Sequence, residues 1–106
     1  MVIIMDRTDV YKYFVLKRKL FRKCFEVIDK KYEDLLCVLD VYMDVYDGDG
    51  VLSVVCVTTD DIEFIQKISL AGIEDGDVSQ KTTNELNELD EKYFKIVEER
   101  LNVGHH

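Results

Sequence analysis

Three kinds of residue in this chain could carry chemistry: closely spaced aspartates, three cysteines and a short supply of histidine. Asp47-Gly48-Asp49-Gly50 has the look of a calcium loop, which needs oxygen ligands at positions one, three and five. It also needs a glycine at position six and a glutamate at twelve. Counted from Asp47, position five is Val51 and the glycine falls too early; counted from Val45, the first ligand is missing and position twelve is Cys56. Asp75-Gly76-Asp77-Val78-Ser79 supplies three oxygens, but Gln80 replaces the glycine and Leu86 the glutamate. No metal site is expected. The Asp-x-Asp also lacks the preceding Gly-Ser turn of nucleotidyltransferases, and no phosphate-cradling glycine motif is present.

Cys24, Cys37 and Cys56 are odd in number and form no C-x-x-C pair, so they read as small core thiols. His105 and His106 follow Gly104 and read as the remnant of a purification tag, leaving residues 1–104 without a histidine. The commonest general base and the commonest metal ligand are thereby lost together. Ser53, Ser69 and Ser79 have no histidine to activate them, which leaves a serine–lysine pair as the remaining nucleophilic option. Neither catalytic residues nor a cofactor are expected, and an enzyme ranks third among the readings.

Two patches remain as binding candidates. Lys12, Lys19, Lys23 and Lys30, with Arg22 beside them, share one side of a helical wheel and span about 27 Å at 1.5 Å per residue. Such a stripe could track a nucleic-acid backbone, although Glu26, Asp29 and Glu33 interrupt it and no aromatic residue interleaves for base stacking. Asp40, Tyr42, Asp44 and Tyr46 alternate along one side of a strand, with Val51, Val55 and Val57 across from them. That surface is too apolar to leave bare and too charged for a core. Either the last helix covers it, or it meets a partner, where tyrosine is favoured because its ring buries area and its hydroxyl still bonds.

The elements that position these residues can be read from periodicity. Across 106 residues the chain is 47% hydrophobic and 34% charged, enough for one folded domain over residues 1–104. Residues 9–34 have helical spacing, with Val10, Tyr13, Phe14, Leu20, Phe21, Cys24, Phe25, Val27, Ile28 and Tyr32 on one face. Asp6 or Thr8 could cap this helix. Val15 points outward and Lys17 inward on that wheel, and the β-prone run from Val10 to Leu16 offers a strand as the alternative. From Leu39 to Tyr46 strict alternation predicts a strand with Leu39, Val41, Met43 and Val45 buried. A turn at Asp47–Gly50 leads to a second strand over Val51–Thr59, and only an even loop keeps aspartates off the core face. A short helix is expected from Asp60 or Asp61 to Ala71, then a loop. Thr82 with Glu85 makes a capping box for a last helix burying Leu86, Leu89, Tyr93, Ile96, Val97 and Leu101. Asp90 and Arg100 fall inside that stripe. Val2–Met5 adds a possible opening strand. The order is (β)αββαα, an α+β fold with a small antiparallel sheet and helices on one face.

Charge is unevenly spread. Residues 1–35 hold nine Lys/Arg against six Asp/Glu, while residues 36–106 hold five against sixteen. Such asymmetry points to oppositely charged faces that meet within the fold, between subunits or on a partner. With no apolar run near the ~18 residues that span a bilayer, a cytoplasmic protein is expected, in the host cytoplasm if viral. The leading functional reading is a small acidic, non-enzymatic interaction module, expected to be a homodimer, that docks Asp40, Tyr42, Asp44 and Tyr46 on a basic protein surface. An inhibitor or nucleic-acid mimic of viral or mobile-element type is one form of it. The alternative is a nucleic-acid-binding regulator using the basic helix.

Overall fold

The computed structural model of the chain describes the backbone of residues 5–46 and 49–103, with side chains described for 5–43 and 50–101. The elements run α1 (Arg7–Asp29), β1 (Leu35–Tyr46), β2 (Asp49–Thr58), β3 (Glu63–Ser69) and α2 (Gln80–Val103). This is an α+β fold with an open three-stranded antiparallel sheet in the order β1-β2-β3.

Asp6 starts α1, its carboxylate accepting the Asp9 amide at 2.9 Å. The run from Val10 to Leu16 is helix, not strand. The helix stops at Asp29, five residues short of the periodic stretch, and Tyr32 lies in the following turn. There its ring packs at 5.0 Å on Phe64 and its hydroxyl donates to Gln66 at 3.2 Å. Tyr13, Leu20, Cys24 and Ile28 form the buried stripe, at the i, i+7, i+11 and i+15 positions of one helix face. Phe14, placed on that face by its position in the wheel, is half exposed.

The β1–β2 hairpin keeps the register that alternation demands. Met43 pairs with Leu52 and Val41 with Val54, while Tyr46 pairs with Asp49 across an even loop at 47–48 that lies outside the described residues. Leu52, Val54 and Cys56 face the helices and are fully buried. One residue breaks the expected pattern. Register shifts at Leu35/Cys37 and Val38/Asp40 leave Leu36 and Leu39 unopposed, and each is more than half exposed. The extra residue at each bulge reverses the alternation, so Val38 takes the inward place expected of Leu39.

The expected short helix over residues 60–71 is instead β3. Thr58 closes the preceding hairpin: its amide donates to the Ile62 carbonyl at 2.9 Å and its hydroxyl accepts from the Ile62 amide at 3.1 Å. Asp61 sits at φ 65°, a left-handed turn position that aspartate tolerates better than most residues, so it turns the chain and caps nothing. Phe64, Gln66 and Ile68 then alternate inward with Glu63, Ile65, Lys67 and Ser69 outward. The opening of α2 also differs. Ser79 and Thr82 cap it reciprocally, at 2.8 and 3.2 Å, and Glu85 is left free to pair elsewhere. The expected opening strand falls largely on residues 1–4, outside the described residues; Met5 packs against the core without strand structure.

Both helices lie on one face of the sheet and run antiparallel to each other. Lys23 reaches Asp75, Lys12 reaches Glu85 and Phe14 packs on Tyr93, so descending α1 corresponds to ascending α2. Leu70, Ile73 and Val78 from the intervening loop complete the core with Leu86 and Leu89. Further along α2, Tyr93, Ile96 and Val97 are half buried and Leu101 is 60% exposed, so the stripe runs past the core it begins in. The radius of gyration is 15.5 Å, where about 13 Å is usual for this length.

Candidate functional site: the outer sheet face

Sheet register decides which side chains share the face turned away from the helices. Asp40, Val55 and Ile65 form one row across the three strands, and Tyr42, Ser53 and Lys67 form the next. Ile65 is 64% exposed and Tyr42 56%, so no described element of the chain lies over them. The last helix sits on the opposite face, which excludes it as the cover for this surface. Val57, on β2 between the two edge strands, is nearly buried by its neighbours yet stands apart from the core cluster. The backbone of Asp44 and Tyr46 continues β1, but their side chains lie outside the described residues.

Asp40, on the β1 edge strand, is half buried and also lines the crevice that Lys17, Phe21 and Asp90 of the helices share, so it stands at the border of the outer face. Its carboxylate accepts the Val41 amide at 2.8 Å. Its proximity to the Tyr42 hydroxyl, then its charge, pushes Tyr42 ionisation upward, so Tyr42 stays neutral. An amide tied to its own neighbour's carboxylate is one that an incoming strand cannot use. With the two bulges, this blunts the open edge of β1 against strand addition and leaves the face, rather than the edge, as the docking surface.

The basic stripe of α1 has a different fate. Lys12 pairs with Glu85 at 2.8 Å, Lys19 with Asp77 at 3.2 Å, Lys23 with Asp75 at 2.8 Å and Arg22 with Glu26 at 3.2 Å. Lys30 is the exposed C-cap residue of α1. Part of the charge asymmetry of the sequence therefore meets within the fold, with Lys19 and Lys23 on the acidic loop before α2 and Lys12 on α2 itself. Asp75 holds that loop, accepting the Asp77 and Val78 amides at 2.8 and 2.9 Å. Its carboxyl is held down to about 2, first by Lys23 and then by those amides. A carboxyl lowered on folding contributes stability that is complete above its ordinary value of 3.8 and is lost as pH falls through about 2. Asp75→Asn keeps an oxygen for the two amides and loses the charge, so it should flatten the acid limb of a stability–pH profile measured by urea denaturation. An acid limb identical to that of the parent would remove Asp75 from this account.

No protein-family model, curated protein or solved structure matches this chain. Its reading therefore rests on its own geometry.

One polar cluster was missed in the sequence. Tyr13, 1% exposed, donates its hydroxyl to the carboxylate of Asp90 on α2, and Lys17 donates to the same hydroxyl at 3.2 Å. The Lys17 ammonium also lies 5.3 and 5.6 Å from the ring centres of Tyr13 and Phe21. Burial, then the bond to Asp90, pushes Tyr13 ionisation far above its ordinary range, so the phenol is a structural donor and no base at neutral pH. The signal was present in two misfits: Lys17 on the inner wheel face and Asp90 in the apolar stripe are opposite charges that needed each other. The adjoining crevice, lined by Lys17, Phe21, Asp40, Met43, Asn87 and Asp90 among others, has a volume of about 30 Å³. That admits a water or two and no substrate.

Cys24 and Cys56 are buried on the inner face, where desolvation pushes the Cys24 thiol up to about 12 and raises Cys56 as well. Neither is set up as a nucleophile. Among the described residues, no three His, Cys, Asp or Glu side chains are grouped to hold a metal ion. No described helix is long and apolar enough to cross a membrane.

Proposed function

We propose that this chain is a non-catalytic interaction module that docks its outer sheet face on a protein partner with a basic surface. The observation that carries the reading is the uncovered pair Tyr42 and Ile65, in adjacent rows beside a half-buried carboxylate at Asp40. A tyrosine and an isoleucine together supply an apolar anchor, and Asp40 supplies charge at its border. That combination suits interfaces in which aromatic anchors give affinity and charges steer the approach. The net charge of −8 favours a basic counterpart, and an inhibitor presenting carboxylates where a target expects phosphates is the form of regulator that fits. Three free thiols, two of them buried, accord with a cytoplasmic setting.

The nucleic-acid reading has less support. Four of its five cations, Lys12, Lys19, Arg22 and Lys23, already lie within 3.2 Å of a carboxylate of the same chain. Phosphates would have to displace those partners. A photo-crosslinking residue placed in turn at positions 42, 65 and 22, in the source cell, separates the two readings. Adducts to one basic protein from 42 and 65, with none from 22, are expected. Nucleic-acid adducts from 22, with none from the sheet face, would overturn the proposal.

A further inference from the structure

Two exposed stripes lie on the helices, towards the N-terminal end of α1 and the C-terminal end of α2. On α1, Arg7, Tyr11, Phe14 and Arg18 recur at i, i+4, i+7 and i+11, and all four are exposed. They present an apolar pair between two arginines. On α2, Glu91, Phe94, Glu98 and Leu101 recur at i, i+3, i+7 and i+10, again all exposed, with acid and apolar residues in turn. Tyr11 is 66% exposed, Phe14 49%, Phe94 59% and Leu101 60%. Large apolar side chains concentrated on helix ends that overhang the core mark a place where a partner sits.

The stripes match each other in length and in charge. From Arg7 to Arg18 is about 16 Å along a helix, and from Glu91 to Leu101 is about 15 Å. Set antiparallel with Arg18 level with Glu91, Phe14 falls beside Phe94 and Tyr11 is level with Glu98, in the gap between Phe94 and Leu101. Arg7 then lies beside Leu101, one turn from Glu98. Among the described residues, no salt bridge uses Arg7, Arg18 or Glu98, and Glu91 has only an exposed pair with Lys95 at 3.3 Å. These charges are free to be used across an interface.

We propose that the occupant of both stripes is a second copy of this chain, with α1 of each protomer laid antiparallel on α2 of the other. A two-fold dimer forms this contact twice, because each copy supplies one basic and one acidic stripe. Each protomer's own α1 and α2 are antiparallel, so the result is a four-helix arrangement at the overhanging ends. The four apolar side chains expose roughly 100–150 Å² each. Together with their charged flanks they approach the ~800 Å² per partner of a stable interface. This surface is separate from the outer sheet face, so dimerisation leaves that face open.

Sedimentation equilibrium of the full chain at 1–100 μM and physiological salt tests the proposal, with circular dichroism to confirm that each variant folds. The parent chain is expected to be a dimer. Arg7→Glu with Arg18→Glu, and separately Glu91→Arg with Glu98→Arg, should each weaken association by a hundredfold or more. Mixing the two variants should restore a dimer, and so should all four changes in one chain. A monomeric parent at 100 μM would overturn the proposal. So would variants that stay dimeric, which moves the interface elsewhere, or folded monomeric variants that fail to recover on mixing. None of these outcomes depends on Tyr42 or Ile65, so the sheet-face reading stands or falls separately.

Discussion

Leu52→Ala should destabilise the fold by about 3–4 kcal/mol, while Ile65→Ala costs less than about 1 kcal/mol, although both residues are apolar and belong to the same sheet. Leu52 is 0% exposed on the helix-covered face, opposite Met43 and Ile68, so its loss leaves a cavity that rigid strand neighbours cannot close. Ile65 is 64% exposed on the other face, where truncation removes little that was buried. Chemical denaturation of the two variants reads the difference directly. Equal losses would mean that the outer face is packed against something, and the two-faced description of the sheet would fail.

Tyr13→Phe is expected to cost about 1.5–3 kcal/mol despite deleting a single oxygen. The hydroxyl is the donor that Asp90 accepts and the acceptor that Lys17 uses, so its loss leaves a half-buried carboxylate and a half-buried ammonium without their common partner. The ring remains stacked on Tyr93 at 4.9 Å, so packing changes little and the cost is mostly polar. Asp90→Asn should cost less, because an amide oxygen still accepts from Tyr13. If Tyr13→Phe proves neutral in urea denaturation while Asp90→Asn is severe, Lys17 and Asp90 form the essential pair and the phenol is incidental.

Periodicity made α1, the β1–β2 hairpin and the inner face of α2 legible, because each buries one face against the same core. Val41 and Met43 turn inward for that reason. Leu39 was misplaced because a bulge shifts alternation by one residue, and period-two counting carries no sign of where a bulge falls. β3 was misread for three reasons. Phe64, Ile65 and Ile68 fit a helical spacing, Gln66 occupies an inward position, and Asp60-Asp61 resembles a cap when it is a turn. That error concealed half of the candidate site, since Ile65 and Lys67 join Asp40 and Tyr42 only when 63–69 is a strand. The Tyr13–Asp90 contact spans 77 residues and follows from how two helices cross, which local sequence does not encode.

The most direct measurement of the central claim pairs stability with capture on one variant, Tyr42→Ala with Ile65→Ala. Both side chains are exposed on the uncovered face, so thermal unfolding should stay within about 1 kcal/mol of the parent. Losing two anchors should reduce photo-crosslinking of the partner, from a probe at position 67 in the same row as Tyr42, by thirtyfold or more. An unaltered crosslinking yield beside a collapsed melting transition would contradict the account, because the face would then belong to the core.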